Sequence, residues 1–127
     1  MKIILTNGME LYPIMAQGSK KIVQGIGRDT LTFVFSSNTS MDELNCVFIP
    51  ANCEEITIIE GDNQYVHKGY TIASELKREP VEVAPATESN PAVYESRVFL
   101  SMSQRTYAET QMAAMQAAID TLLNGEV

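Results

Sequence analysis

The chain has 127 residues, enough for one domain with a real core and too few for two ordinary ones. Sixteen acidic residues against nine basic ones give a net charge of −7, and the basic residues are scattered with no run longer than two. A surface this negative repels phosphate, so nucleic acid and anionic membranes are excluded as partners.

The N-terminal MKIILTNGMELYPI lacks the apolar stretch of about 7–15 residues that a signal peptide needs. No segment approaches the roughly 18 apolar residues of a membrane helix. The expectation is a soluble intracellular chain. Its two cysteines, Cys46 and Cys53, are then read as reduced, mostly buried thiols.

In chain order, KIILT, Asn7-Gly8 and MELYPIM predict a β-hairpin on a type I′ turn, in which both central residues take positive φ. Gly18-Ser19 predicts a second turn leading into KKIVQG, and Gly25-Ile26-Gly27 a third. Leu31, Phe33 and Phe35 alternate with Thr30, Thr32 and Val34, the pattern of a strand with one strongly apolar face.

Ser40 and Glu43 form a capping-box sequence, so a two-turn helix is expected at about 40–48, ended by Pro50. EEITIIE, the turn Gly61–Asn63 and QYVHKGYTIASEL predict a second hairpin, with Val66, Tyr70, Ile72 and Leu76 on one side and Gly69 at a bulge or a close approach. From Arg78 to Pro91 the periodicity lapses over three prolines, which predicts an extended loop with at most a short edge strand at Val81–Val83. VYESRVFLSMS is the last strand, directing Tyr94, Val98, Leu100 and Met102 one way. The buried face of the sheet is expected from Phe33, Phe35, Val98 and Leu100 with Ile56, Ile58 and Ile72.

Thr106 with Glu109 supplies a second capping box, opening a C-terminal helix at about 106–124. Along it Ala108, Met112, Met115, Ile119 and Leu122 step by 4, 3, 4 and 3, the heptad spacing of a helix–helix seam. Ala113 and Ala117 lie on its flank, small enough for a second helix to approach closely. Packing across the domain's own sheet and pairing with other copies both satisfy this pattern, and the two can coexist. The interface candidates are therefore Ala108, Met112, Ala113, Met115, Ala117, Ile119 and Leu122. The fold class is α+β: one domain over 1–127, with a mainly antiparallel sheet rolled into a small barrel or sandwich over 1–104 and the amphipathic helix behind it.

Catalytic chemistry finds little to work with. His67 is the only histidine and sits mid-strand, where a solvent-side position is the ordinary reading. Cys46 and Cys53 are separated by more than the spacing of a zinc knuckle, and no second cysteine pair exists. Gly25-Ile26-Gly27-Arg28-Asp29 lacks the residues of a dinucleotide or Walker loop. The turn Glu60–Asn63 is far short of a calcium loop. The expectation is a protein that is not an enzyme and that takes no metal or organic cofactor.

The stretches LTNGMELYPI (5–14), GRDTLTFVF (27–35), MDELNCVF (41–48), HKGYTIASELKREPVEVAPATE (67–88) and SMSQRTYAETQMAAM (101–115) resemble a family of small phage and prophage proteins of Gram-positive bacteria, usually encoded among tail genes. That resemblance covers most of the length and brings no catalytic or binding motif. DTLTFVFSS, a short helix and ITIIEGDNQYVHKGYTI also resemble the opening barrel of tail-hub and baseplate proteins, a ring-forming β-domain. The chain lacks the large additional domains that such hub proteins carry. The resemblance implies a structural or assembly protein of a phage tail or baseplate, made in the bacterial cytoplasm and incorporated in the virion. Its partners would be other copies of itself or other tail proteins. The alternative is a small phage-encoded regulatory module that binds a host protein.

Overall fold

The computed structural model describes residues 1–124 and holds two antiparallel four-stranded sheets packed face to face, with two α-helices. In chain order these are β1 (Lys2–Ile4), β2 (Glu10–Leu11), β3 (Met15–Val23), β4 (Ile26–Phe35), α1 (Met41–Val47), a 3-10 turn at Pro50–Asn52, β5 (Glu55–Glu60), β6 (Asn63–Lys68), β7 (Ile72–Ala84), β8 (Val93–Ser103) and α2 (Tyr107–Asn124). One sheet runs β2-β1-β5-β6 and the other β3-β4-β8-β7. The sheets do not close into a barrel; the fold is a sandwich.

Burial follows the alternation of the strands. Leu31, Phe33 and Phe35 of β4 and Val98, Leu100 and Met102 of β8 meet Ile3 of β1 and Ile56 and Ile58 of β5 between the sheets. Leu44 of α1 and Phe48 just behind it plug one end, the Phe48 ring lying 6.0 Å from that of Phe33. The expected core residues are therefore buried, apart from Ile72. That side chain pairs with Ser103 and is only half-buried, because the register puts it on the outer face of its sheet. Tyr94, assigned to the same inward row of β8, lies past the last residue paired with β4 and is exposed.

Local turn chemistry departs from expectation in three places. At Asn7-Gly8 only Gly8 has positive φ (+84°), so no type I′ turn forms; the Asn7 side chain instead accepts a hydrogen bond from the Met9 amide at 3.1 Å. The two-residue turn with both central φ positive is Gln24-Gly25 (55° and 76°), which joins β3 to β4 through the pair Val23↔Ile26. Gly18-Ser19 makes no turn: β3 runs straight through it, pairing Gly18 with Leu31.

The expected second hairpin closes only as far as Lys68. There the chain leaves the first sheet, and after Gly69 it crosses to the second. Gly69 takes φ +80°, which a residue with a Cβ adopts only under strain, and no bulge is involved. Its amide donates to the Glu54 carbonyl at 2.9 Å and its carbonyl accepts from the Arg105 amide at 2.9 Å, so one residue ties together three segments.

Half of the expected loop at 78–91 is strand. β7 continues to Ala84 along the sheet edge, with Pro80 opposite Ser96, and only residues 85–92 connect the strands. An edge strand loses nothing at a proline whose missing N–H would have faced outward. The pairing of β4 with β8 ends at Phe35↔Val98, whereas β7 and β8 continue together to Ala84↔Val93. Glu79–Ala84 and Val93–Arg97 therefore form a two-stranded ribbon that extends past the rest of its sheet.

Candidate functional site

The C-terminal helix is held at its root and unsupported beyond it. Thr106 and Glu109 form the complete capping box: the Thr106 amide donates to the Glu109 carboxylate at 2.9 Å, and the Glu109 amide donates to the Thr106 hydroxyl at 3.2 Å. The same carboxylate takes both ends of the Arg28 guanidinium, Nη1 on Oε1 and Nη2 on Oε2, the latter at 2.9 Å. Arg28 is 2% exposed, and it also donates to the carbonyls of Val23 (3.0 Å) and Gln104 (3.2 Å). Arg28, together with the capping amide, holds the Glu109 carboxyl down to about 2. Nearby, Arg105 bonds Glu54 at 2.7 Å and the Gln104 amide group reaches the Lys68 carbonyl at 3.0 Å.

From Thr110 to Leu123 every residue is exposed. Met112 is 69% exposed, Met115 63%, Ile119 46% and Leu122 66%. The helix does not lie across its own sheet, so that half of the sequence reading is corrected: its stripe contributes nothing to the core. The seven interface candidates, Ala108, Met112, Ala113, Met115, Ala117, Ile119 and Leu122, are all accessible on this helix. The first turn of α2 is fixed to the Arg28 end of β4, whereas α1 follows the Phe35 end. Seven residues of strand, roughly 24 Å, separate the two, so the helix and α1 sit at opposite poles.

Several recesses mark the surface. An apolar groove of about 480 Å³ between α1 and the β1–β2 hairpin is lined by Met9, Leu11, Leu44, Cys46 and Val47. Two adjoining recesses, of about 290 and 280 Å³, share Gly18, Leu31 and His67 along the open side of the sandwich, where β3 and β6 are the free edges of the two sheets.

His67 corrects the sequence reading. It pairs with Ile56 and shares that residue's inward face, half-buried rather than on the solvent side, with its ring edge-on to Tyr70 at 5.6 Å. Burial lowers its pKa from the ordinary value, disfavouring the charged imidazolium. Lys20, Asp29 and Ser19 complete the wall on the β3–β4 side.

Both cysteines are free thiols. Cys53 is buried, and its burial followed by the neighbouring Glu54 pushes the thiol up to about 11, which leaves it unreactive. Cys46 is exposed on α1, against the expectation that both would be mostly buried. Among the described residues no group of three or more His, Cys, Asp or Glu side chains is arranged to hold a metal ion. No helix among them is long and apolar enough to cross a membrane. Comparison of the chain with protein-family models, with curated proteins and with solved structures finds no match.

Sequence reasoning identified the helix, its cap and its stripe, and it missed the anchor. Arg28 had been read only as part of a glycine-rich turn. Its partner lies 81 residues away, and no spacing rule reaches that far.

Proposed function

We propose that this chain is a structural or assembly protein of a phage tail or baseplate, acting through protein–protein contacts without catalysis, and that α2 joins it to other copies. The observation that carries the reading is the exposure of the whole heptad stripe on a helix clamped only at its first turn. A helix of 18 residues, roughly 27 Å long, is marginal alone in water. One that is apolar on most sides is normally buried.

Charge selects the partner. Between Thr110 and Leu123 the only ionised side chain is Asp120, which accepts a hydrogen bond from Gln116 at 3.1 Å. Copies of a protein at −7 repel one another except where the meeting surfaces are uncharged, and this helix is such a surface. The resemblance to phage proteins encoded among tail genes supplies the biological setting.

Because the stripe is exposed in the single chain, Met115→Glu with Ile119→Glu should leave the sandwich folded and abolish association. Light scattering of the full chain at micromolar concentration should give a multiple of the monomer mass, reduced to the monomer by that pair and weakened by Ala113→Gln with Ala117→Gln. A monomeric parent would overturn the assembly reading. Mass spectrometry of purified particles tests the setting: absence from particles, with specific capture of a host protein, would favour the regulatory module instead.

A further inference from the structure

Ile22, beside the turn that joins β3 to β4, is 82% exposed. Its cross-strand partner is Gly27, which has no side chain to cover it. Lys20 and Lys21 precede it, both exposed and neither in an ion pair among the described residues. The other adjoining cations of the chain are engaged: Lys77 with Glu75 and Glu79, and Arg78 with the carbonyls of Ser37 and Thr39. A large aliphatic side chain therefore stands in water at the hairpin tip, next to two unmatched positive charges.

The groove between α1 and the β1–β2 hairpin has the complementary character. Met9, Leu11, Leu44, Cys46 and Val47 give it an apolar lining, and its volume of about 480 Å³ is ample for an aliphatic side chain. Leu44 belongs to the core, and Leu11 and Val47 pack against it, so the sandwich itself fixes the floor. Asp42 and Glu43, in the first turn of α1, also line the groove, and no lysine or arginine does. Both carboxylates are exposed, and neither is in an ion pair among the described residues. The stripe of α2 is the poorer occupant: it carries no basic residue, and Asp120 would meet these carboxylates at like charge.

Tip and groove cannot meet within one chain. The tip lies at the Ile26 end of β4, and α1 follows the Phe35 end, ten residues of strand and roughly 33 Å away. We propose that the β3–β4 hairpin tip of one copy docks in the α1 groove of the next, with Ile22 on the apolar floor and Lys20 and Lys21 beside Asp42 and Glu43. The contact is heterologous: each copy offers a tip at one pole and a groove at the other. It passes from copy to copy and closes into a ring where the rotation permits. It is separate from the pairing of α2 and does not need it.

Cys46 reports on the groove, because it lines the groove and is exposed, whereas Cys53 is buried. The full chain carrying Met115→Glu with Ile119→Glu is alkylated with iodoacetamide at concentrations from micromolar to near-millimolar. Mass spectrometry counts the labels, and an unlabelled Cys53 shows that each variant is folded. Cys46 should react several-fold more slowly at the high end of the range. Ile22→Ser, at a side chain that packs on nothing in the monomer, should restore the fast rate at every concentration. Neutralising carboxylates on a chain of net charge −7 eases association in general. Asp42→Asn with Glu43→Gln should nevertheless remove the protection, while Glu82→Gln with Glu88→Gln, the same charge change elsewhere, should keep or strengthen it. A rate independent of concentration would leave the groove to another occupant and overturn the proposal. So would protection that persists in Ile22→Ser, or protection that appears only when Met115 and Ile119 are restored, which would place α2 in the groove instead.

Discussion

Arg28 is a cation taken almost wholly out of water, and its four hydrogen bonds make that tolerable. The sign of its pH dependence follows from Glu109. With the folded pKa depressed to about 2 from an ordinary 4.5, the carboxylate contributes stability that is complete above 4.5 and is lost as pH falls toward 2. Glu109→Gln should therefore lower the melting temperature at pH 6, with the gap between variant and parent narrowing as pH drops through that window. A gap that stays constant down to pH 2.5 would mean the pair contributes nothing. Phe33 answers to packing rather than charge. It is fully buried against Phe48, and Phe33→Ala should cost about 3–5 kcal/mol in denaturant unfolding. That approaches the whole stability of a small domain. A variant melting within a degree or two of the parent would refute the placement of the ring.

Elements differ in how plainly the sequence announced them. β4 and β8 were legible because the side chains that enter the core between the sheets recur with a period of two, Leu31, Phe33 and Phe35 in one and Val98, Leu100 and Met102 in the other. α1 and α2 were legible from Ser40 and Thr106, whose side chains accept from the amides of Glu43 and Glu109. β3 was cut in two by Gly18-Ser19, since a glycine that a turn would need is indistinguishable by type from one that a strand tolerates. β7 was lost beyond Arg78 because its prolines and glutamates are acceptable on an edge, where only one side of the backbone is paired. The consequence for proteolysis is specific. Cleavage in the free chain should begin within residues 85–92, which are exposed and outside any strand, apart from half-buried Ala92. First cuts within 78–84 would argue that the ribbon is open. α2 makes the complementary prediction: if association stabilises it, far-ultraviolet helical signal per residue should rise with protein concentration in the parent and stay flat in Met115→Glu with Ile119→Glu.

At the scale of the molecule, the sandwich was readable as a class and its connection between sheets was not. The strands around Gly69 alternate as one hairpin would, and the crossing is fixed by hydrogen bonds to Glu54 and Arg105, residues that no local pattern links to it. The stripe of α2 was legible for the same reason as the strands: its periodicity is local, and it appears in the structure as an exposed row along the helix. The recess at His67 was not, because it depends on which edges of two sheets end up side by side.

Pro80 carries a consequence for what such a unit can build. A sheet with two receptive edges grows without limit, each copy templating the next, and that is how β-rich chains turn into fibres. Here one edge is receptive along nine residues of β3, while the other is interrupted by a residue that has no hydrogen to give. Pairing at the β7 edge is interrupted there. A proline at that edge guards against runaway aggregation, and Pro80→Ala should be found out by turbidity: a clear solution of the parent, and a clouding one of the variant.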